Sequence, residues 1–145
     1  MSEANPYATP EAPVVAPVAD AAVDIDALDI SDTWKKRFKA MRKAGYPERF
    51  DRNALDADEK KHLQPFNILG YLFGPFYYFS KGMWKKGILL TVGVIVIITL
   101  LDIALRAMGL ASFAGALKFG GPAVFAAKVN MDYYKTMVRG DKGWW

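Results

Sequence analysis

The chain has 145 residues and a formal charge of +4, but residues 1–34 hold seven acidic residues and no Lys or Arg, so a −7 segment precedes a +11 body. Such asymmetry points first to anionic lipid or nucleic acid as a partner. With no cysteine and a single histidine, His62, there is no disulfide framework, thiolate nucleophile or Cys-ligated metal, and little from which to build a triad. The expectation is therefore no catalytic residue, no cofactor and no metal.

Residues 1–30 consist mainly of Ala, Pro, Val, Asp and Glu, with prolines at 6, 10, 13 and 17. Proline at that density forbids a helix interior or a central strand, and the segment lacks the apolar surface to offset its chain entropy. A disordered acidic tail is expected. Its start, Met1-Ser2-Glu3, has no basic residue before Lys35, unlike a secretory signal, so the tail is expected to stay in the cytoplasm. It serves either as a solubilising linker or as an acidic docking arm, for a partner or for the chain's own basic helix.

Residues 31–65 read as a cytoplasmic helical region. Ser31 or Asp32 caps a helix running to about Ala44, with Gly45 and Pro47 ending it. Trp34, Phe38 and Met41 share one face, and six basic residues from Lys35 to Lys43 fill the others. One reading makes Trp34 and Phe38 membrane-interface anchors among anionic lipid headgroups, where each Lys or Arg contributes on the order of 1 kcal/mol. The other packs the same face on the rest of the chain. A second helical stretch follows from Asp56 to about Leu63, stopped by Pro65, with His62 expected to be exposed on it.

Residues 66–86 contain FNILGYLFGPFYYF, fourteen uncharged residues broken at Gly74-Pro75 and flanked on both sides by lysines. A helix of that length spans only about 21 Å, too little to cross. The segment is expected to be interfacial or re-entrant, with Phe76, Tyr77, Tyr78 and Trp84 at headgroup depth and Lys85 and Lys86 fixing the start of the next helix. A full crossing is the alternative. Residues 87–106 begin with fifteen consecutive uncharged residues and, at about 1.5 Å per residue over nineteen positions, approach the roughly 30 Å of a hydrocarbon core. They form the expected first transmembrane helix.

Residues 107–133 are expected to form a second, Gly-broken transmembrane segment, interrupted at Gly120-Gly121-Pro122. With the turn near Gly109–Ser112, Lys118 lies at about the depth of Asp102, and an intramembrane ion pair between Asp102 and Lys118, with Arg106 nearby, is one expectation. The other is that each snorkels to water. Ala107, Ala111 and Gly115 follow a small-xxx-small spacing that favours close helix approach, within the chain or in a homo-oligomer. The likeness of LFGPFYYFSKG to KFGGPAVFAAK suggests a pair of broken helices. Thirteen Lys and Arg lie between Lys35 and Lys86, four lie from Lys128 onward, and two lie between, so both termini are expected in the cytoplasm. Residues 134–145 make a basic, aromatic C-terminus. The fold class is thus all-α: a small helical integral membrane protein with two transmembrane helices, an interfacial or re-entrant aromatic segment and a basic amphipathic cytoplasmic helix.

The run FNILGYLFGPFYYFSKGMWKKGILL, preceded by DTWKKRFKAMRKAG, resembles a bacterial family of small membrane proteins known as domain of unknown function 2628. Phe73, Gly74, Pro75, Phe76, Tyr77, Tyr78, Gly82, Met83, Trp84, Lys85 and Lys86 carry the likeness, and Asn130, Tyr133 and Tyr134 match the family's Asn and paired aromatics. The resemblance covers roughly residues 33–135 and implies a bacterial inner-membrane protein; it brings no activity, cofactor or catalytic residue.

No phosphate-binding loop, nucleophile elbow, paired carboxylates or metal spacing occurs in the sequence. The expected function is a non-catalytic, membrane-anchored interaction or regulatory module, its partners the lipid bilayer, anionic headgroups and a cytoplasmic or membrane protein. An oligomeric pore, holin-like effector or transporter subunit is the alternative. Because most of the positive charge flanks apolar segments, nucleic acid is the least favoured partner.

Overall fold

The computed structural model describes residues 23–144. These form seven α-helices and one 3-10 turn, with no strand among the described residues. Helix α1 spans Asp32–Lys43, as its periodicity predicts, with Ser31 at the cap position but no side-chain bond from it. Gly45, at φ 77°, takes the left-handed conformation that closes the helix. After a 3-10 turn at Arg52–Ala54, the short α2 (Ala57–His62) starts on a capping box, Asp56 bonding the Glu59 N–H and Glu59 reaching back. His62 is half-buried at its end rather than exposed.

The aromatic segment divides where its Gly-Pro predicts. Helix α3 (Ile68–Phe73) ends at Gly74, whose φ of 48° turns the chain, and α4 (Pro75–Ser80) begins at once with Pro75 in its first turn. The Asn67 side chain caps α3 through the N–H groups of Leu69 and Gly70. Helix α5 (Trp84–Ala107) is 24 residues long, and Lys86 and Gly87 are its only buried residues. The chain then turns through α6 (Ala111–Ala114) into α7 (Leu117–Val138), which returns alongside α5.

The expectation of two transmembrane helices is corrected: among the described residues one helix, α5, is long and apolar enough to cross a membrane. Helix α7 has the length but not the composition, for its second half carries Lys128, Asp132 and Lys135 and belongs to the protein core. Nor is it broken at Gly120-Gly121-Pro122. It runs through all three, with Pro122 inside the helix, and the real interruption is the stretch around α6. The two Gly-Pro segments are therefore not a structural repeat. The same interruption puts Ala107, Ala111 and Gly115 on different elements, so they form no continuous stripe.

The core sits at one end of the molecule, where α1, α4 and the second half of α7 meet. Phe38, Tyr78, Val129, Tyr134 and Val138 are fully buried there. Ile25, from the acidic segment, is buried with them, and Val23, Leu28 and Ile30 pack against the same cluster. Disorder expected of residues 1–30 thus fails for residues 23–30, whose aliphatic side chains are spaced to reach the core; residues 1–22 lie outside the described residues, as does Trp145.

Candidate functional site

The face of α1 that carries Trp34, Phe38 and Met41 packs into the core, where its ring partners Tyr133 and Tyr134 come from the C-terminal half of α7. The Trp34 ring meets Tyr133 edge-on at 4.7 Å, and Phe38 meets Tyr134 at 5.4 Å. As interface anchors Trp34, Phe38 and Tyr78 are therefore corrected: their rings are buried inside the protein and unavailable to a lipid surface. Helical periodicity identified the apolar face but not what covers it. Phe76, by contrast, is 73 % exposed, Trp84 is half exposed and meets Trp144 edge-on at 5.9 Å, and Tyr77 is half-buried. Lys85 lies over the Trp84 ring. Lys86 is no surface anchor; it is 4 % exposed and pairs with Asp141 at 3.0 Å. Burial works against the Asp141 charge, but the Lys86 ammonium and the Gly143 N–H outweigh it and hold the carboxyl below the usual range.

Beneath the α1–α7 contact lies a buried polar knot that links residues far apart in sequence. The Oδ1 of Asn130 accepts from Arg37 at 3.3 Å and from the Asn67 amide at 2.8 Å, while its own amide donates to the Gln64 carbonyl at 2.7 Å. A second Arg37 nitrogen donates to Gln64 Oε1 at 2.7 Å, but Nε is buried without a partner. Burial lowers the Arg37 pKa, with the guanidinium stacked 4.5 Å from the Trp34 ring. The knot opens on a cavity of about 510 Å³ bordered by Arg37, Trp34, Asn67 and Tyr77.

Lys81 completes this region. Its ammonium lies 4.9 Å from the Tyr133 ring centre, 5.5 Å from Trp34 and 5.7 Å from Tyr77, and burial lowers its pKa. In the sequence Lys81 counted only as one more flanking charge, and Asn67, Gln64 and Asn130 gave no signal of meeting. The site offers hydrogen-bond donors and aromatic walls. Among the described residues no three His, Asp or Glu side chains converge as a metal site.

A second arrangement covers the outer face of α1. Asp26 pairs with Lys39 at 2.7 Å, its carbonyl accepts from Lys35 at 2.9 Å, and Arg42 donates to the Val23 carbonyl at 2.7 Å. The described part of the acidic segment is thus docked on the chain's own basic helix. At the far end of the molecule, Asp102 pairs with Arg106 one turn along α5 at 2.7 Å, and the Lys118 ammonium lies over the Phe119 ring. The Asp102–Lys118 pair is corrected accordingly, since an i,i+4 partner on the same helix meets the carboxylate without ordering a second chain segment.

These features define an all-helical protein: a folded head of crossed helices from which one long apolar helix projects. The chain belongs to the family described as Protein of unknown function (DUF2628), whose model matches residues 23–139. No curated protein and no solved structure gives a significant match.

Proposed function

We propose that this chain is a small bacterial inner-membrane protein without catalytic activity, a membrane-anchored interaction or regulatory module whose helical head faces the cytoplasm. The observation that carries the reading is the division of burial along α5: beyond Gly87 no residue of this helix is buried. Eight large aliphatic side chains on it, from Ile88 to Ile103, are exposed. At about 1.5–3 kcal/mol each, moving eight such groups from water into hydrocarbon gains on the order of 10 kcal/mol, comparable with the net stability of a small domain. Lipid is the cover that a helix apolar on every side requires. The positive charge of residues 35–86 and 128–142 supports a head and C-terminus on the inner side.

The regulatory element is the acidic segment on α1. Its ion pair and carbonyl contacts lie at the surface, where salt and competing charges weaken them. An anionic partner surface that displaces Asp26 gains access to Lys35 and Lys39, beside the exposed Lys36.

Two measurements test this. Alkaline extraction of bacterial membranes should leave the protein in the pellet, and its release would sink the membrane reading. Crosslinking in native membranes should capture a partner that a Lys35→Glu, Lys36→Glu, Lys39→Glu variant loses. Capture of nothing but further copies of the chain, with dye leakage from reconstituted vesicles, would favour an oligomeric pore instead.

A further inference from the structure

Between α5 and α7 runs a half-open groove of about 570 Å³. Most of its length is walled by aliphatic side chains, among them Val94, Ile97 and Leu101 of α5 and Leu117 and Val124 of α7, and at the head end the walls change to Lys128, Asp132 and Lys135. Missing side chains make the space. A Cβ added at Gly93 or Gly120 meets nothing within 4 Å, whereas the helices touch at Gly121, where a Cβ would come within 3.2 Å of Val94 and 3.4 Å of Ile98.

The polar end carries excess positive charge. Asp132 is buried and accepts from the Tyr78 hydroxyl at 2.9 Å, and Lys86 is matched by Asp141. Lys128 is exposed and has no hydrogen bond or ion pair among the described residues, and Lys135 lies two turns further along the same face of α7. An apolar slot closed at one end by cations has the shape and charge of an amphiphile's complement.

We propose that the groove is a lipid site, holding one acyl chain of an anionic membrane phospholipid with its phosphate against Lys128 and Lys135. The inference rests on the membrane reading above. The groove runs from Lys86 to Leu101, about 22 Å along α5, which accommodates a chain from one leaflet of a hydrocarbon core roughly 30 Å thick. A zwitterionic lipid fits the slot but leaves the excess positive charge of that end unmatched, since Asp132 offsets only one of Lys128 and Lys135.

Trp144 borders the groove and reports its occupancy. The full chain, reconstituted in phosphatidylcholine vesicles, is titrated with phosphatidylglycerol brominated on one acyl chain, and separately with brominated phosphatidylcholine. Tryptophan quenching by the anionic lipid should saturate at a mole fraction at least fivefold lower than quenching by the zwitterionic one. Lys128→Gln with Lys135→Gln should bring that ratio close to one. Gly120→Leu, which fills open space, should abolish the saturable component while the thermal unfolding of the head is unchanged; Gly93→Leu, on the opposite wall, provides a second variant should the first fail to fold. Equal quenching by the two lipids overturns the proposal in favour of unselective annular lipid. Loss of a crosslinked dimer in the glycine variants overturns it in favour of a second copy. Failure of the wild-type chain to insert into phosphatidylcholine sinks the membrane reading and this site with it, whereas insertion without selectivity removes the site alone.

Discussion

Helices α5 and α7 are nearly equal in length, 24 and 22 residues, yet they satisfy their side chains in opposite ways. Past its first turn α5 buries nothing, while α7 buries nine residues, all but one of them from Phe125 onward. Apolarity alone does not separate them by role. The difference lies in what is interleaved: α7 places Asn130, Asp132, Tyr133 and Tyr134 among its aliphatics, and each meets a specific group from α1, α3 or α4. Past Lys86 the Ile, Val and Leu surface of α5 makes no side-chain hydrogen bond to another element among the described residues. A helix that carries information about its neighbours is patterned; one that faces a solvent, whether water or lipid, is uniform.

The contrast is most exposed to test in the core. Phe38→Ala, which empties the space between Trp34 and Tyr134, should cost about 3–5 kcal/mol in denaturant unfolding of the detergent-solubilised chain, whereas Ile95→Ala on the outer face of α5 should cost less than about 1 kcal/mol. Equal losses would break the comparison. Next in size is the polar knot: Asn130→Ala strands the Asn67 amide and one Arg37 nitrogen in the interior, and about 1–3 kcal/mol should be lost for each group that finds no other partner. Adjacent glycines offer a finer cut. Gly121→Ala presses on Val94 and Ile98 and should lower the melting temperature, while Gly120→Ala enters open space, gains helix propensity and should leave it unchanged or higher.

The smallest effect is electrostatic and local. Because Asp141 titrates below its ordinary value in the folded chain, its ion pair with Lys86 stabilises the fold above the unfolded carboxyl pKa of about 4 and is lost as acid takes the pH through the lower folded value. The Trp84–Trp144 contact should loosen over that range, read as a change in tryptophan emission. Asp141→Asn should remove the pH dependence. A transition on the alkaline side of pH 5 would assign it to another group.

Local rules made much of the architecture legible. Gly45 and Pro47 ended α1, Gly74-Pro75 divided the aromatic segment, and an uninterrupted apolar run announced α5, because each is decided by residues within a turn or two. Partnership was not legible. Trp34 and Phe38 read as an apolar face equally suited to lipid or protein, and only the approach of Tyr133 and Tyr134, about a hundred positions away, decides between them. Lys86 read as an anchor because flanking lysines commonly are; its burial depends on Asp141, which follows α7. Docking of Asp26 on Lys39 was one of the alternatives the charge pattern left open, and its Ile25 companion in the core was hidden by the low-complexity composition around it. Asn130 entered through family resemblance and became intelligible through its three partners.

The seating of α5 on the head has a mechanical consequence. Its foot is held by the Lys86–Asp141 pair and by Gly87, where a Cβ would press within 2.8 Å of Tyr78, and higher up it is met by α7 at Gly121, against Val94 and Ile98. The lever pivoted on the head is therefore the α5–α7 hairpin, not α5 alone. From Gly87 to Ala107 it extends about 30 Å, so a 5° tilt imposed at the pivot carries the far tip through roughly 3 Å. Small rearrangements around Tyr78 and Asp132 in the head are thereby converted into displacements at the opposite end large enough to separate or join side chains.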